Sequence, residues 1–269
     1  MVARRRRRSA GASGLPGAAL APAGTRIDPV LLGLAAACGH DTLSIRPRPR
    51  VRVLVTGDEL THTGRPGSGQ VRDALGPLLP SLVHTLGGVV ADLHHVPDRP
   101  ADSLADAVRR TPYDSGVIVV TGSTSVGVTD QLRAFLDGDG DARWVVDAVA
   151  CRPGHPQLLA QLPDGRWILG LPGNPYAALA AAHTLLAPLL TGLAGRPLPA
   201  LPRIPLAGDT RIAPGRTRLV PVIWDGVTAR AVGGHRSAFL RGAALADALA
   251  AVPPDWQPCT PVPVISPAG

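Results

Sequence analysis

Aromatic residues make up only 3% of the 269 residues, so the core must be built from Ala, Val and Leu rather than from packed rings. Cysteine is equally sparse. Cys38, Cys151 and Cys259 are far apart and odd in number, which leaves no C-x-x-C pair for zinc and no disulfide framework. That usage reads as a reduced, cytoplasmic protein. Charged residues are 17%, below the usual quarter or so, which excludes a disordered polyelectrolyte. The P-loop, the dinucleotide fingerprint and the serine nucleophile elbow are all missing.

The formal charge of +7 suggests nucleic acid until it is located. Arg4 to Arg8 supply five of those charges, and the rest of the chain carries only +2. No segment interleaves Arg with aromatics as a single-strand binder would, so nucleic acid is excluded as a partner. The arginine run reads as a solvated tail. Ser9 to Gly24 is Gly/Ala/Pro-rich without a continuous apolar stretch, which argues against a secretory or twin-arginine signal. Tyr176 to Gly195 is uncharged and has the length of a bilayer span. It is alanine-rich, contains His183 and Pro188, and starts from a Pro-Gly-Asn-Pro turn, so it reads as a helix buried in a domain and not as a membrane anchor.

Four segments follow from the pattern: a low-complexity tail over 1–24, a short helix and Arg-Pro linker over 25–50, an α/β domain over 51–197, and a β-rich domain over 198–269. In the α/β domain, apolar runs at Val51–Val55, Val89–Val96, Gly116–Val120, Trp144–Ala150 and Trp167–Leu169 read as strands. Leu75, Leu78, Leu79, Leu82, Val83 and Leu86 share one helical face, and Ala101–Arg110, Gln131–Leu136 and Asn174–Leu193 are further helices. The alternation predicts a three-layer α/β domain with a mainly parallel sheet, whose ligands bind outside the carboxyl ends of the strands. In the β-rich domain, Thr217–Trp224 and Val227–Val232 read as strands and Ala243–Ala250 as a helix.

Three segments with chemistry in them fall at those carboxyl ends. Thr121-Gly122-Ser123-Thr124-Ser125-Val126-Gly127 leads to Asp130. Its amides and hydroxyls suit an anion, and Asp130 suits a divalent cation bridging phosphate oxygens. An ordinary loop with a capping Ser or Thr fits the local pattern equally well. Pro172, Gly173, Asn174 and Pro175, in Gly-Leu-Pro-Gly-Asn-Pro, fix a rigid turn that lets a ligand approach bare backbone. Asp58 and Glu59 could hold magnesium or polarise a water, or could simply cap a helix start. Asp98 could add a carboxylate or belong to a turn. Arg152 and His155 flank a Pro-Gly turn and suit an oxyanion, although a lone His in a turn is commonly just exposed. His94 and His95 have no partner at metal-ligand spacing along the chain, and no role is assigned to them.

In order along the chain, Thr-Gly-Asp-Glu-Leu (56–60), Gly-Gln-Val-Arg-Asp (69–73), Val-Pro-Asp (96–98), the Thr121–Asp130 loop, Arg-Pro-Gly-His-Pro (152–156) and Gly-Leu-Pro-Gly-Asn-Pro (170–175) resemble the molybdopterin molybdenumtransferases of the bacterial MoeA and eukaryotic gephyrin E-domain type. The tail also resembles that family's C-terminal domain, with Gly-Gly-His-Arg-Ser237 before a Leu/Ala-rich helix. The resemblance implies replacement of the adenylyl group of adenylylated molybdopterin by molybdate, with Mg2+ assisting cleavage and AMP leaving. It implies catalytic or metal roles for Asp58, Glu59, Asp98, Asp130, Arg152 and His155. Thr121 to Ser125, Gly127, Pro172 to Pro175 and Ser237 would bind pterin and phosphate. It also implies a homodimer or a partner in cofactor assembly. The family differs in having an elongated N-terminal region with a small inserted domain, lysines where Arg152 and His155 stand, Gly-Gly-Val-Ser-Val-Gly for residues 122–127, and an Asn after Asp73. A non-catalytic molybdopterin-binding paralogue therefore remains the alternative. A related adenylyltransferase or nucleotide hydrolase is disfavoured by the Ser-Val-Gly loop.

Overall fold

The computed structural model describes residues 19–100, 102–112, 114–122, 131–138, 142–208, 210–233, 236 and 238–266. Arg4–Arg8 lie outside the described residues. The first helix, α1 (Pro29–Ala37), starts where the sequence supplies a cap: Asp28 accepts from the Leu31 amide at 2.7 Å, and Pro29 holds the first helical position. The chain then runs extended into β1 (Arg50–Thr56). A two-stranded excursion of β2 (Leu60–Thr61) and β3 (Val71–Arg72) precedes α2 (Leu75–Thr85). Next come β4 (Val89–Val96), α3 (Ser103–Arg109), β5 (Val117–Thr121) and α4 (Gln131–Gly138). After β6 (Arg143–Val146), β7 (Cys151–Arg152), β8 (Leu158–Gln161) and β9 (Trp167–Leu171), a long helix forms from α5 (Pro175–Ala181), a π turn at Ala182–Leu186 and α6 (Ala187–Leu193).

Strands β4, β1, β5 and β9 lie parallel in that order, and β8 and β6 extend the sheet antiparallel. Val51, Val53 and Val55 point to one face, where α2 and the long helix cover them. Leu54, Ile118 and Val120 point to the other, under α3 and α4. Burial on both faces is why these strands read as unbroken apolar runs. The three-layer arrangement matches the sequence expectation. The strand expected over 144–150 ends at Val146, because Asp147 turns to pair with Arg133 on α4.

The span Pro175–Leu193 is long and apolar enough to cross a membrane. Ala178, Ala181, Ala182, Leu185, Leu186 and Leu190 are nevertheless buried in the core, which makes it the core helix the sequence suggested. His183 lies within it, 5% exposed, and its Nε2 finds no hydrogen-bond partner among the described residues. Burial holds this imidazole below its ordinary pKa of 6.5. The unfolded chain thus takes up a proton near pH 6.5 that the folded chain refuses. Stability is full above that pH and falls as pH drops below it, towards the folded pKa. The expected result is a melting temperature that declines from pH 7 to pH 5.5, with a flatter profile in His183→Leu.

The second domain contains β10 (Arg203–Ala207), β11 (Thr217–Trp224), β12 (Ala229–Ala231), α7 (Arg241–Ala244), β13 (Ala248–Val252) and β14 (Pro261–Ile265). Strand β12 pairs with both β10 and β11, closing a small barrel around Leu206, Val220, Val222, Ala250, Val262 and Val264. The helix expected at Ala243–Ala250 is corrected here: only Arg241–Ala244 is helical, and Ala248–Val252 is a buried strand. Alanine and leucine favour helix locally. Antiparallel pairing of Ala248 with Val222 and Ala250 with Val220 overrides that preference, because it buries the segment in the barrel. Strand β7 joins this sheet by pairing parallel to β11.

Candidate functional site

The carboxyl ends of β1, β4, β5 and β9 lie side by side. Their loops are tied together by bonds between segments far apart in sequence. Thr56 Oγ1, at the end of β1, donates to the Thr121 carbonyl at 2.6 Å, and the Gly122 amide donates to Leu171 O at 3.2 Å. Gly122 has φ +91°, and a Cβ on it would stand 2.7 Å from Thr56 Oγ1 and 2.9 Å from Thr56 O. A Cβ on Gly173 would stand 3.3 Å from the Gly122 Cα. The two glycine turns therefore meet backbone to backbone, which only glycine permits at Gly122. Thr121 is 1% exposed, and its Oγ1 has no partner among the described residues. A buried, unmatched hydroxyl at the base of a loop is costly unless something bonds to it.

The acidic residues stand beside these turns. The Asp58 amide donates to Asp98 Oδ2 at 3.2 Å, and the Asp98 amide donates to Asp58 Oδ1 at 2.9 Å. This reciprocal clasp uses one oxygen of each carboxylate. Asp58 and Glu59 are exposed and cap no helix; the next helix, α2, starts after Asp73, whose Oδ1 accepts from the Leu75 and Gly76 amides at 2.9 Å. The Glu59 carboxylate folds back towards Gly57, within 2.9 Å of where its Cβ would be. At the start of α4, the Gln131 side chain bonds to Asp98 O, which draws that helix terminus to the clasp. Ser123, Thr124, Ser125, Gly127 and Asp130 lie outside the described residues.

Asn174 precedes α5 in extended conformation, but its side chain makes no capping bond and is exposed at the loop. Pro172 is buried beneath it, and Pro175 starts the helix. The Arg152–His155 turn is held in place from below. Gly154 packs onto the long helix with φ +101°, where a Cβ would stand 3.3 Å from Ala177 O. Gln157, fully buried, donates to Gly154 O at 3.0 Å, and its Oε1 accepts from Thr184 at 2.9 Å. His155 Nδ1 lies 2.8 Å from Val149 O. A carbonyl only accepts, so this nitrogen carries the proton and only Nε2 faces outward.

Arg152 is exposed and in register with Arg218, so both side chains leave the same face of the second sheet. Burial, and then the nearby charges of Arg152 and Arg211, push the Arg218 guanidinium below its ordinary value. Burial raises the neighbouring Cys151 thiol, opposed by the hydrogen bond from Gln157 and then by the charge of Arg216. Among the described residues no carboxylate pairs with Arg152, Arg211, Arg216 or Arg218. The three partner arginines escaped sequence reasoning, because nothing along the chain marks which Arg of the second domain faces Arg152. Tyr176 links the domains by donating to Leu219 O at 2.9 Å, and its buried phenol is shifted strongly upward. Ser237 lies outside the described residues.

The chain contains no lysine, so arginine must supply permanent cationic contacts. Gathered cations without counter-charges suit an oxyanion, and the glycine turns with the Asp58 and Asp98 carboxylates suit a phosphorylated ligand.

Residues 52–192 match the family described as a probable molybdopterin binding domain, and residues 203–261 match the MoeA C-terminal region (domain IV). The molybdopterin molybdenumtransferase of Synechococcus elongatus is 33% identical over 213 residues, covering 76% of this chain and 52% of that protein. That of Haemophilus influenzae is 33% identical over 174 residues, covering 64% and 42%. The chain thus spans about half the length of the curated relatives it matches. A solved molybdopterin biosynthesis MoeA protein from Pyrococcus horikoshii has the same fold, with TM-score 0.72 at 23% identity over 91% of this chain and 61% of that one. A molybdenum cofactor biosynthesis protein from Pyrococcus furiosus gives 0.67 at 19% over 90% and 76%.

Proposed function

We propose that this chain, which belongs to the MoeA-type family of molybdopterin-binding proteins, binds adenylylated molybdopterin at the carboxyl ends of its four parallel strands and exchanges the adenylyl group for molybdate, releasing AMP. The observation that carries the reading is the junction of the Gly122 and Gly173 turns beside the Asp58–Asp98 clasp. It sets two glycine turns together as a backbone cradle, with the Asp58 and Asp98 carboxylates on the loops beside them.

Magnesium fits this donor set. It is held by one or two carboxylates together with substrate phosphates and waters, and the paired carboxylates of Asp58 and Asp98 meet that need. Bound there, it would neutralise charge on the phosphates as the pyrophosphate opens. In this reading the chain's own groups do the rest. The turns hold the phosphates, Thr121 Oγ1 donates into the cradle, and Asn174 is free to bond the pterin. Arg152, with Arg216 and Arg218, attracts molybdate. Glu59 completes the acidic lining, and the family resemblance alone assigns Asp130 to the metal and Ser237 to the anion.

The make-up of the Arg152–His155 turn favours a second reading. Arg152 is its one permanent cation, a weaker molybdate pocket than the two lysines of the family it resembles. A binding-only protein would keep the cradle and lack turnover. The full chain mixed with adenylylated molybdopterin, molybdate and magnesium is expected to release AMP in step with molybdate. Tight binding without AMP would establish the binding-only protein, and no binding would overturn both readings.

A further inference from the structure

His62 and Asp73 come from opposite arms of the 57–74 excursion after β1, and His95 from the end of β4. Their ligand atoms all lie within 4.8 Å of one another. Asp73 Oδ2 is 3.0 Å from His95 Nε2 and 3.6 Å from His62 Nδ1. Two ligand atoms bonded to one tetrahedral zinc at about 2.0–2.1 Å stand about 3.3–3.4 Å apart, so both separations bracket the edge of such a site. The Asp73 carboxylate is 5% exposed and its other oxygen is fixed by two backbone amides, which aims Oδ2 at the imidazoles. That arrangement is the supporting layer a metal-binding carboxylate needs.

The two imidazole rings sit 3.6 Å apart between centroids. With an N–H turned inward, either ring can hydrogen-bond to Asp73 Oδ2. With both lone pairs turned inward, all three groups direct electron pairs at one centre, the arrangement that suits a cation. Imidazole with a carboxylate suits zinc and its neighbours in the transition series rather than magnesium. The half-exposed histidines leave a coordination position open to water.

We propose that His62, Asp73 and His95 form a binding site for a divalent transition-metal ion of the zinc type. It is separate from the acidic residues of the cleft and independent of the activity proposed above. The ion staples the 57–74 excursion, which begins at Asp58 and Glu59, onto β4, which leads to Asp98. It thereby fixes one wall of the cleft.

The test uses the full chain without a histidine tag, stripped with chelator and titrated with zinc by calorimetry. One zinc per chain is expected, with a rise in melting temperature. His62→Ala and His95→Ala should each weaken binding at least tenfold and lose most of that rise, while remaining folded by circular dichroism. His94→Ala is the control and should bind as the parent does, since His94 pairs with Asp92 instead. Cobalt in place of zinc should give visible absorption bands that disappear in His95→Ala. Failure of the folded chain to take up zinc at 100-micromolar scale, or uptake unchanged in both histidine variants, would overturn the site.

Discussion

Gly122→Val is expected to lower the melting temperature by on the order of 10 °C and to abolish ligand binding. Two costs combine. A β-branched residue at φ +91° stores backbone strain of about 1–3 kcal/mol. Its Cβ must also displace Thr56, whose Oγ1 and carbonyl stand at 2.7 and 2.9 Å, and such overpacking adds about 1–3 kcal/mol. Each kcal/mol moves the transition of a chain of this size by about 2–4 °C. Thr56 cannot yield cheaply, because it is buried and its hydroxyl holds Thr121 O. Gly116→Ala is the matched control: nothing lies within 4 Å of its Cβ position and its φ is ordinary, so stability should change by less than about 0.5 kcal/mol. If thermal denaturation shows equal losses for the two variants, the close approach at Gly122 does not govern the cleft.

Arg152→Ala should behave in the opposite way, weakening the response to molybdate while leaving the fold at least as stable. A charge-assisted hydrogen bond to an oxyanion contributes about 1.5–3 kcal/mol, which is about 10–150-fold in the molybdate concentration needed for half-maximal AMP release. The fold has no use for this cation. It makes no ion pair among the described residues, and its charge opposes that of Arg218. Removing it relieves repulsion, so the melting temperature should stay level or rise slightly. A residue that lowers activity and stability together would be structural; the predicted split marks a group retained for its ligand. Molybdate titrations paired with melting curves on the same preparations read both quantities.

Much of this cleft was legible along the chain. The apolar runs at Val51–Val55 and Val117–Val120 announce strands covered on both faces, and β-branched residues in such runs have few alternatives. Parallel order then follows from the intervening helices, and with it the rule that loops at the carboxyl ends meet the ligand. That rule puts Gly122, Asp58, Asp98, Gly173 and Asn174 just past strand ends, where the folded chain carries them. Ala248–Val252 misled for a physical reason: its composition fits either a helix or a small-residue strand, and only pairing with Val220 and Val222 decides between them.

The sequence by itself determined which ends of the sheet carry the glycine turns and carboxylates, because periodicity and turn residues act over a few neighbours. Glycine and proline at Gly170 to Pro175 fix a turn whatever surrounds it. Tertiary structure alone decided what meets across that sheet. It set Gly122 against Gly173, clasped Asp58 to Asp98, turned Arg218 beside Arg152, and brought His62 and His95 onto one oxygen of Asp73. Those encounters depend on strand register and on where long excursions return, which local preferences do not encode. Thr121 and Gly122 mark the strand end at which the Gly122–Gly173 meeting occurs, and the folded chain supplies their neighbours.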